Sequence, residues 1–177
     1  NLSDKNKLTA GFEYRKDQSE GTRLKKPSTS LNGADAHAAF DKADINYLAA
    51  YVQDEFRPND KWLIIPSVRF DHSDQFSNKL TSNLAATYNA ADDVRIKAVV
   101  GQGYKTPTVN DLYIFWEMYA KNPGSDGQFY VGNPDLKPEK SLSYELSVEK
   151  DWGDRSTVHF GLFRNEVKDL IGTYWTG

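Results

Sequence analysis

The 177-residue sequence contains no cysteine. A disulfide scaffold, a thiolate metal site and a cysteine nucleophile are therefore excluded. No apolar run approaches the roughly 18 to 20 residues that a membrane-spanning helix needs. A helical membrane protein is excluded by that, but a membrane β-barrel is not, because its strands alternate apolar and polar residues. Charge of one sign is also missing. With 22 Lys and Arg against 25 Asp and Glu, the net charge is −3, and no nucleic-acid partner is expected. The opening NLSDKNK has no charged stretch followed by an apolar one. No signal peptide is read there, and the sequence is expected to be a mature chain or an internal piece.

What the sequence does have is aromatics, with ten Tyr, nine Phe and four Trp. It also has a dominant period of two. Leu8, Ala10, Phe12 and Tyr14 alternate with Thr9, Gly11, Glu13 and Arg15. Comparable rows run through Leu48–Phe56 (interrupted by Asp54), Trp62–Phe70, Leu80–Tyr88, Val94–Val100, Leu142–Val148 and Val158–Leu162. Each predicts a strand with one apolar and one polar face. Pro66 inside the third run predicts an irregularity or bulge.

The connections segregate by length. Residues 57–60, 89–93 and 152–155 make short turns, and they alternate with longer stretches at 17–43, 73–78 and 105–138. Tight turns at one end and long loops at the other are the pattern of an outer-membrane barrel. The expected fold is all-β, an antiparallel up-and-down transmembrane β-barrel segment of about seven strands. Seven strands do not close a bacterial barrel, and an open sheet leaves bare edges in lipid. The segment is thus expected to belong to a larger barrel or to assemble from several copies. Residues 111–120 are expected to hold a short helix within a loop, from the helical propensity of WEMYA. Thr22–Asp41 is expected to be mobile.

Two motifs carry a resemblance. They are GQGYKTPTVNDLY at Gly101–Tyr113 and GNPDLKPEKSLSYELSVE at Gly132–Glu149, the latter followed by FRNEVKDLI at Phe163–Ile171. YVQDEF at Tyr51–Phe56 and IPSVRFD at Ile65–Asp71 add a hairpin. In this order and spacing the sequence resembles the barrel of TonB-dependent outer-membrane receptors, of the cobalamin, colicin, haem and siderophore type. The resemblance covers about residues 45–172. It implies that residues 1–177 form part of a barrel of roughly 22 strands whose lumen is filled by a plug domain absent from this sequence. It also implies active transport of a ferric siderophore, haem or cobalamin across the outer membrane of a Gram-negative-type cell. TonB would supply the energy through the plug, and outer-membrane lipid would surround the barrel. Alternatives are a passive pore or adhesion barrel, or a soluble β-rich binding domain.

Binding, not bond-making, is the chemistry such a protein needs. No enzyme activity, resident cofactor or metal is expected, since no nucleophile–base pair or acid–base pair is evident. The candidate ligand-binding residues are Tyr113, Phe115, Trp116, Tyr119, Phe129 and Tyr130, joined by Met118. Aromatic faces pack against flat or bulky ligands, although the same residues serve equally to pack the loop on its neighbours. By the resemblance, Tyr104, Pro107, Leu112, Asn133, Pro134, Leu136, Pro138 and Glu139 are structural brackets of the loop, with Asn110 at its entry. The haem branch of the family carries a histidine between the two motifs, and here none lies between Tyr113 and Asn133. His37 remains an open axial candidate, His159 is expected to face the lumen, and His72 has no assigned role. Arg69, Arg95, Lys97, Lys105 and Arg164 either draw anions to the inner wall or rim, or pair with nearby carboxylates.

Overall fold

The computed structural model describes residues 3–21, 23–27, 37–39, 42–119 and 128–175. Its elements are β1 (Asn6–Glu20), β2 (Lys25–Pro27), β3 (His37–Ala39), β4 (Lys42–Phe56), β5 (Trp62–Ser73), β6 (Lys79–Ala91), β7 (Val94–Lys105), α1 (Val109–Tyr113), β8 (Phe115–Tyr119), β9 (Gln128–Val131), β10 (Glu139–Trp152), a 3₁₀ turn (Gly153–Arg155) and β11 (Ser156–Lys168). Seven strands form one antiparallel meander in the order β1-β4-β5-β6-β7-β10-β11. The two remaining pairs, β2-β3 and β8-β9, are small hairpins inside the two longest connections.

The period of two becomes two chemically distinct faces because directly opposed residues share a face. One row runs Ile64, Ala86, Ala98, Leu146 and Leu162 across five strands. Another runs Tyr88, Ile96, Val148 and Phe160. These side chains have nothing over them: Phe12 is 72% exposed and Leu162 63%. Among the described residues only six hydrophobic ones are buried, and five of those belong to a cluster at one end of the sheet. A water-soluble domain would have to leave this whole apolar face in water, a penalty of about 25 cal/mol per Å². In lipid the face is satisfied. Aromatics bound it below, where Trp62 and Tyr88 lie 4.6 Å apart, and Tyr14 and Tyr144 share the same face farther up.

The main strands have 12 to 15 residues. A tilted strand crosses the hydrocarbon with about 9–11, so each projects beyond it. The short turns 57–61, 92–93 and 153–155 fall at one end and the long connections at the other. This is an antiparallel barrel wall, as the alternation predicts.

The irregularity expected at Pro66 is present but is not a bulge, and the helix expected in WEMYA needs correction. Gln53↔Ser67 and Phe56↔Ile64 keep one register on the β4 side, and Pro66↔Leu84 is in register with β6. Pairing with β4 lapses only opposite Asp54 and Glu55, because proline offers no N–H to that neighbour. Within the seven-stranded sheet a register shift lies between Asn89 and Ala91, beside the tight Asp92–Asp93 turn. The predicted helix in WEMYA is strand β8, and the helix comes earlier, at Val109–Tyr113. Aromatic residues paired across a hairpin outweigh the helical preference of Glu and Met. Most of the Thr22–Asp41 stretch lies outside the described residues.

Candidate ligand-binding site

The site starts where β7 ends. Pro107 is fully buried, and Thr108 caps α1. The Asp111 N–H donates to Thr108 Oγ1 (3.1 Å), and the Thr108 N–H donates to Asp111 Oδ2 (2.8 Å). This reciprocal capping box satisfies two amides that a five-residue helix would otherwise leave bare. The helix then drops Val109 and Leu112 onto Leu24, Ala43 and Ile45, with Tyr47, Phe76, Tyr113 and Leu136 packed around them. Leu112 and Ile45 are each 1% exposed. Each such buried side chain contributes about 1.5–3 kcal/mol. Ile45 and Ala43 lie on the lumenal row of β4, so the helix closes inward over the lumen and not outward over lipid.

Beyond α1, the β8–β9 hairpin leans on the first long connection. The Phe115 N–H donates to the Arg23 carbonyl (2.7 Å), and Leu24 bridges Ile114. The Arg23 guanidinium lies 4.3 Å over the Trp116 ring. Phe115 and Phe129 meet with ring centroids 5.4 Å apart, and Trp116 pairs with Tyr130 across the hairpin. The Tyr130 hydroxyl reaches Thr173 Oγ1 at 3.3 Å. Trp116 and Phe129 keep 39% of their surface exposed. Tyr113 belongs instead to the packed cluster. Tyr119 pairs with Gln128 at the end of the hairpin, and its side chain and that of Met118 lie outside the described residues, as does that of His37.

The second motif returns the chain. The Gly132 N–H donates to the Ile114 carbonyl (2.7 Å) and the Asn133 N–H to the Asp111 carbonyl (2.8 Å). Asn133 Oδ1 accepts from the Asp135 N–H (2.9 Å), an Asx turn that carries the chain through Pro134 to Leu136. Pro138 precedes β10. Glu139 then accepts from the Ile171 N–H (2.9 Å) and from Lys105 Nζ (3.3 Å). Tyr104 donates its hydroxyl to the Ser77 carbonyl (3.4 Å). The two motifs, separated in sequence by residues 114–131, thus meet at α1.

Below this cap the lumenal wall forms an open concavity of about 530 Å³, with Tyr47, Arg69, Asp71, Gln102, Tyr104 and Thr106 among its lining. Tyr47 bonds Thr106 at 3.1 Å and carries the Arg15 guanidinium 4.3 Å over its ring. Arg69 pairs with Glu13 (3.0 Å) and Asp71 (2.9 Å). Nearer the short-turn end, Glu149 collects Lys97 (2.6 Å), Arg95 (3.1 Å) and His159 Nδ1 (3.5 Å). The lumenal cations therefore meet carboxylates. Arg164 does not belong on the inner wall: it stands opposite Tyr144 on the lipid-facing row. His72 lies on that outer row too, opposite Leu48, at 2.6 Å from Asn78. Among the described residues no group of three or more His, Asp or Glu converges as a metal site.

Arg23, Tyr47, Thr108, Asp111 and Gly132 were not singled out by sequence reasoning. The Thr-x-x-Asp spacing at 108–111 was a legible capping signal. The partners of Arg23 and Tyr47 depend on loop packing, which no local pattern encodes.

An antiparallel wall with a lipid face, a charged lumenal face and long connections folded inward defines the wall of an outer-membrane β-barrel protein. The comparisons narrow that class. The family described as TonB dependent receptor-like, beta-barrel, matches residues 1–177. The vitamin B12 transporter BtuB of Photobacterium profundum is 33% identical over 96% of this chain and 23% of its own length. The ferrienterobactin receptor of Escherichia coli is 26% identical over 93% of this chain and 23% of its own length. The crystal structure of the siderophore receptor PirA from Acinetobacter baumannii superposes with a TM-score of 0.75 at 24% identity, covering 97% of this chain and 26% of that one. This chain belongs to the TonB-dependent receptor family and is an outer-membrane protein. It spans about a quarter of the length of the relatives it matches.

Proposed function

We propose that this segment supplies part of the extracellular ligand-contacting surface of a receptor that takes up an iron complex, haem or a cobalamin through the outer membrane, energised by TonB through a plug domain. The observation that carries the proposal is the pair of long connections locked together at the long-loop end, where Pro107 and Thr108 border the lumenal concavity and the β8–β9 hairpin leaves Trp116 and Phe129 partly exposed. Such a rim offers aromatic faces to a bulky ligand, while its backbone bonds hold them in place. The relatives named for vitamin B12 and for ferric enterobactin support uptake of this kind of cargo. The protein performs no catalysis in this reading; Tyr113, Pro107, Leu112, Asn133, Pro134, Leu136 and Pro138 shape the loop, and Phe115, Trp116, Tyr119, Phe129 and Tyr130 meet the ligand.

The test is a binding panel of cyanocobalamin, a ferric catecholate siderophore and haem on the full-length receptor, followed by tryptophan fluorescence. One ligand is expected to bind, and the double variant Trp116→Ala/Phe129→Ala should weaken it about tenfold or more, as loss of aromatic anchors does elsewhere. Uptake should vanish in cells lacking TonB. TonB-independent swelling of liposomes in small sugars would instead make the protein a passive pore.

A further inference from the structure

On the lipid-facing row of β10 and β11, Lys140 stands directly opposite Lys168. Two register pairs below, Arg164 stands opposite Tyr144. Like charges opposite one another destabilise a sheet, and nothing in the alternation of the strands requires them there. Their height is informative. Lys140 and Lys150 are the two cations that bracket the apolar residues Leu142, Tyr144, Leu146 and Val148 on β10. Ten residues at a tilt of about 45° rise about 23 Å, close to the roughly 25 Å apolar band of an outer-membrane barrel. Lys140 and Lys168 therefore sit at the headgroup level on the long-loop side, and Arg164 is long enough to reach that level from just beneath it.

The two ends of this row are treated differently. At the short-turn end, Lys150 has a carboxylate of its own, Asp93, at 2.6 Å. At the long-loop end, Lys140 has only a loose contact of 3.8 Å with Asp169. Arg164 holds Glu166 at 2.6 Å and is 75% exposed. Lys168 pairs with no carboxylate among the described residues. Other outward lysines at the same end are closely paired: Lys16 with Asp44 at 2.8 Å and Lys42 with Glu20 at 3.2 Å. The β10–β11 edge thus concentrates three cations against two carboxylates, within the plane where lipid headgroups lie.

We infer that Lys140, Lys168 and Arg164 form a binding site for a phosphorylated glycolipid headgroup of the outer leaflet. A bridging phosphate accepts hydrogen bonds from both lysines and removes the repulsion between them, while Tyr144 lies against the sugar–acyl boundary. The site lies on the outside of the barrel and is independent of what the lumen transports.

The test uses the full-length receptor, reconstituted in vesicles containing bisphosphorylated lipid A and re-extracted in mild detergent. Lipid A retained per receptor is read by native mass spectrometry. K140Q/K168Q is expected to bind about thirtyfold more weakly, the order expected for two lysines removed from a headgroup interface. K16Q/K42Q removes two outward lysines that already have carboxylate partners, and should stay within about twofold of the parent. Both pairs are exposed, and an unchanged far-UV spectrum and heat-modified gel mobility will report intact folding. Equal retention by K140Q/K168Q and the parent would overturn the assignment. So would an equal loss in K16Q/K42Q, which would reduce the effect to general rim charge. Displacement of the lipid by millimolar inorganic phosphate would also overturn it, by reassigning the cluster to a soluble anion.

Discussion

Gly132→Ala probes the docked loop most directly. A Cβ at residue 132 would stand 2.7 Å from the Leu112 carbonyl carbon, 2.8 Å from the Tyr113 nitrogen and 2.9 Å from the Asp111 carbonyl oxygen. All three are backbone atoms of α1, so no side chain can swing aside to make room. Restoring ordinary contact needs a displacement of about 0.7 Å between the returning chain and the helix. Overpacking of this kind costs about 1–3 kcal/mol. The bonds at stake are those from the Gly132 and Asn133 amides to Ile114 and Asp111. Local opening of the loop should therefore become about 5- to 150-fold more frequent. Hydrogen exchange at residues 112, 132 and 133 of the full-length receptor in detergent reads this directly. Gly172→Ala is the control, because a Cβ there meets nothing within 4 Å. Exchange within twofold of the parent at all three amides would refute the idea that close approach at Gly132 sets the docking of α1.

Leu112→Ala should cost about 2–5 kcal/mol of loop stability and Leu112→Met under about 1.5, read as the denaturant dependence of protease cleavage in residues 106–138. Gly153 holds φ at 60° in the β10–β11 turn, so Gly153→Ala should slow refolding into vesicles and cost about 1–2 kcal/mol, with Gly153→Asn recovering part of it. Asp93 lies in the Asp92–Asp93 turn, where the hydrogen bond from the Lys150 ammonium holds its carboxyl below the ordinary 3.8. A depressed carboxyl stabilises the fold above its unfolded pKa, and the contribution disappears as pH falls through the lower folded value. NMR titration should place Asp93 below 3.8, and Asp93→Asn should abolish that portion of the acid sensitivity; a titration at or above the ordinary value would sink the pairing.

The strands were legible because one physical demand, lipid on one side and a polar lumen on the other, imposes a period of two that no other constraint competes with. The rows read from Leu8–Tyr14 or Leu142–Val148 reappear as continuous stripes for that reason. The loops were less legible because their conformations answer to partners far away in sequence. WEMYA has fair helical propensity, yet its aromatics pair with QFYV across a hairpin. The helix lies instead where Thr108 and Asp111 can cap it, a signal present in the sequence but passed over. Arg164 was misplaced because the apolar row of β11 ends at Leu162 and the same face continues as Arg164, Glu166 and Lys168. Polarity there marks the membrane boundary and not a change of face. The meeting of Leu112, Asn133 and Leu136 at one helix followed from motif spacing only in outline, since the contacts with Leu24 and Ile45 come from the first long connection and from β4.

The exposed edges decide what the sheet can do by itself. β1 and β11 each pair on one side only. In hydrocarbon every unpaired backbone group costs several kcal/mol, so an open sheet of these lengths is not a stable membrane unit. The side chains point the same way. Phe163 lies on the lumenal row of β11, where polar residues dominate the neighbouring strands, and is 84% exposed. Phe160 on the opposite face is 66% exposed. Phe160 faces lipid, which satisfies it, whereas Phe163 calls for apolar cover from inside the barrel. The sheet accounts for about a quarter of the length of its relatives, and its edges call for flanking strands of the same barrel. The lumenal ion pairs at Glu149 and Arg69 are already closed within the sheet, so completing the barrel asks for backbone partners and apolar cover far more than for counter-charge. This is why the perturbations above belong in the full-length receptor: in the isolated segment, edge-to-edge association would dominate any change at Gly132 or Lys140.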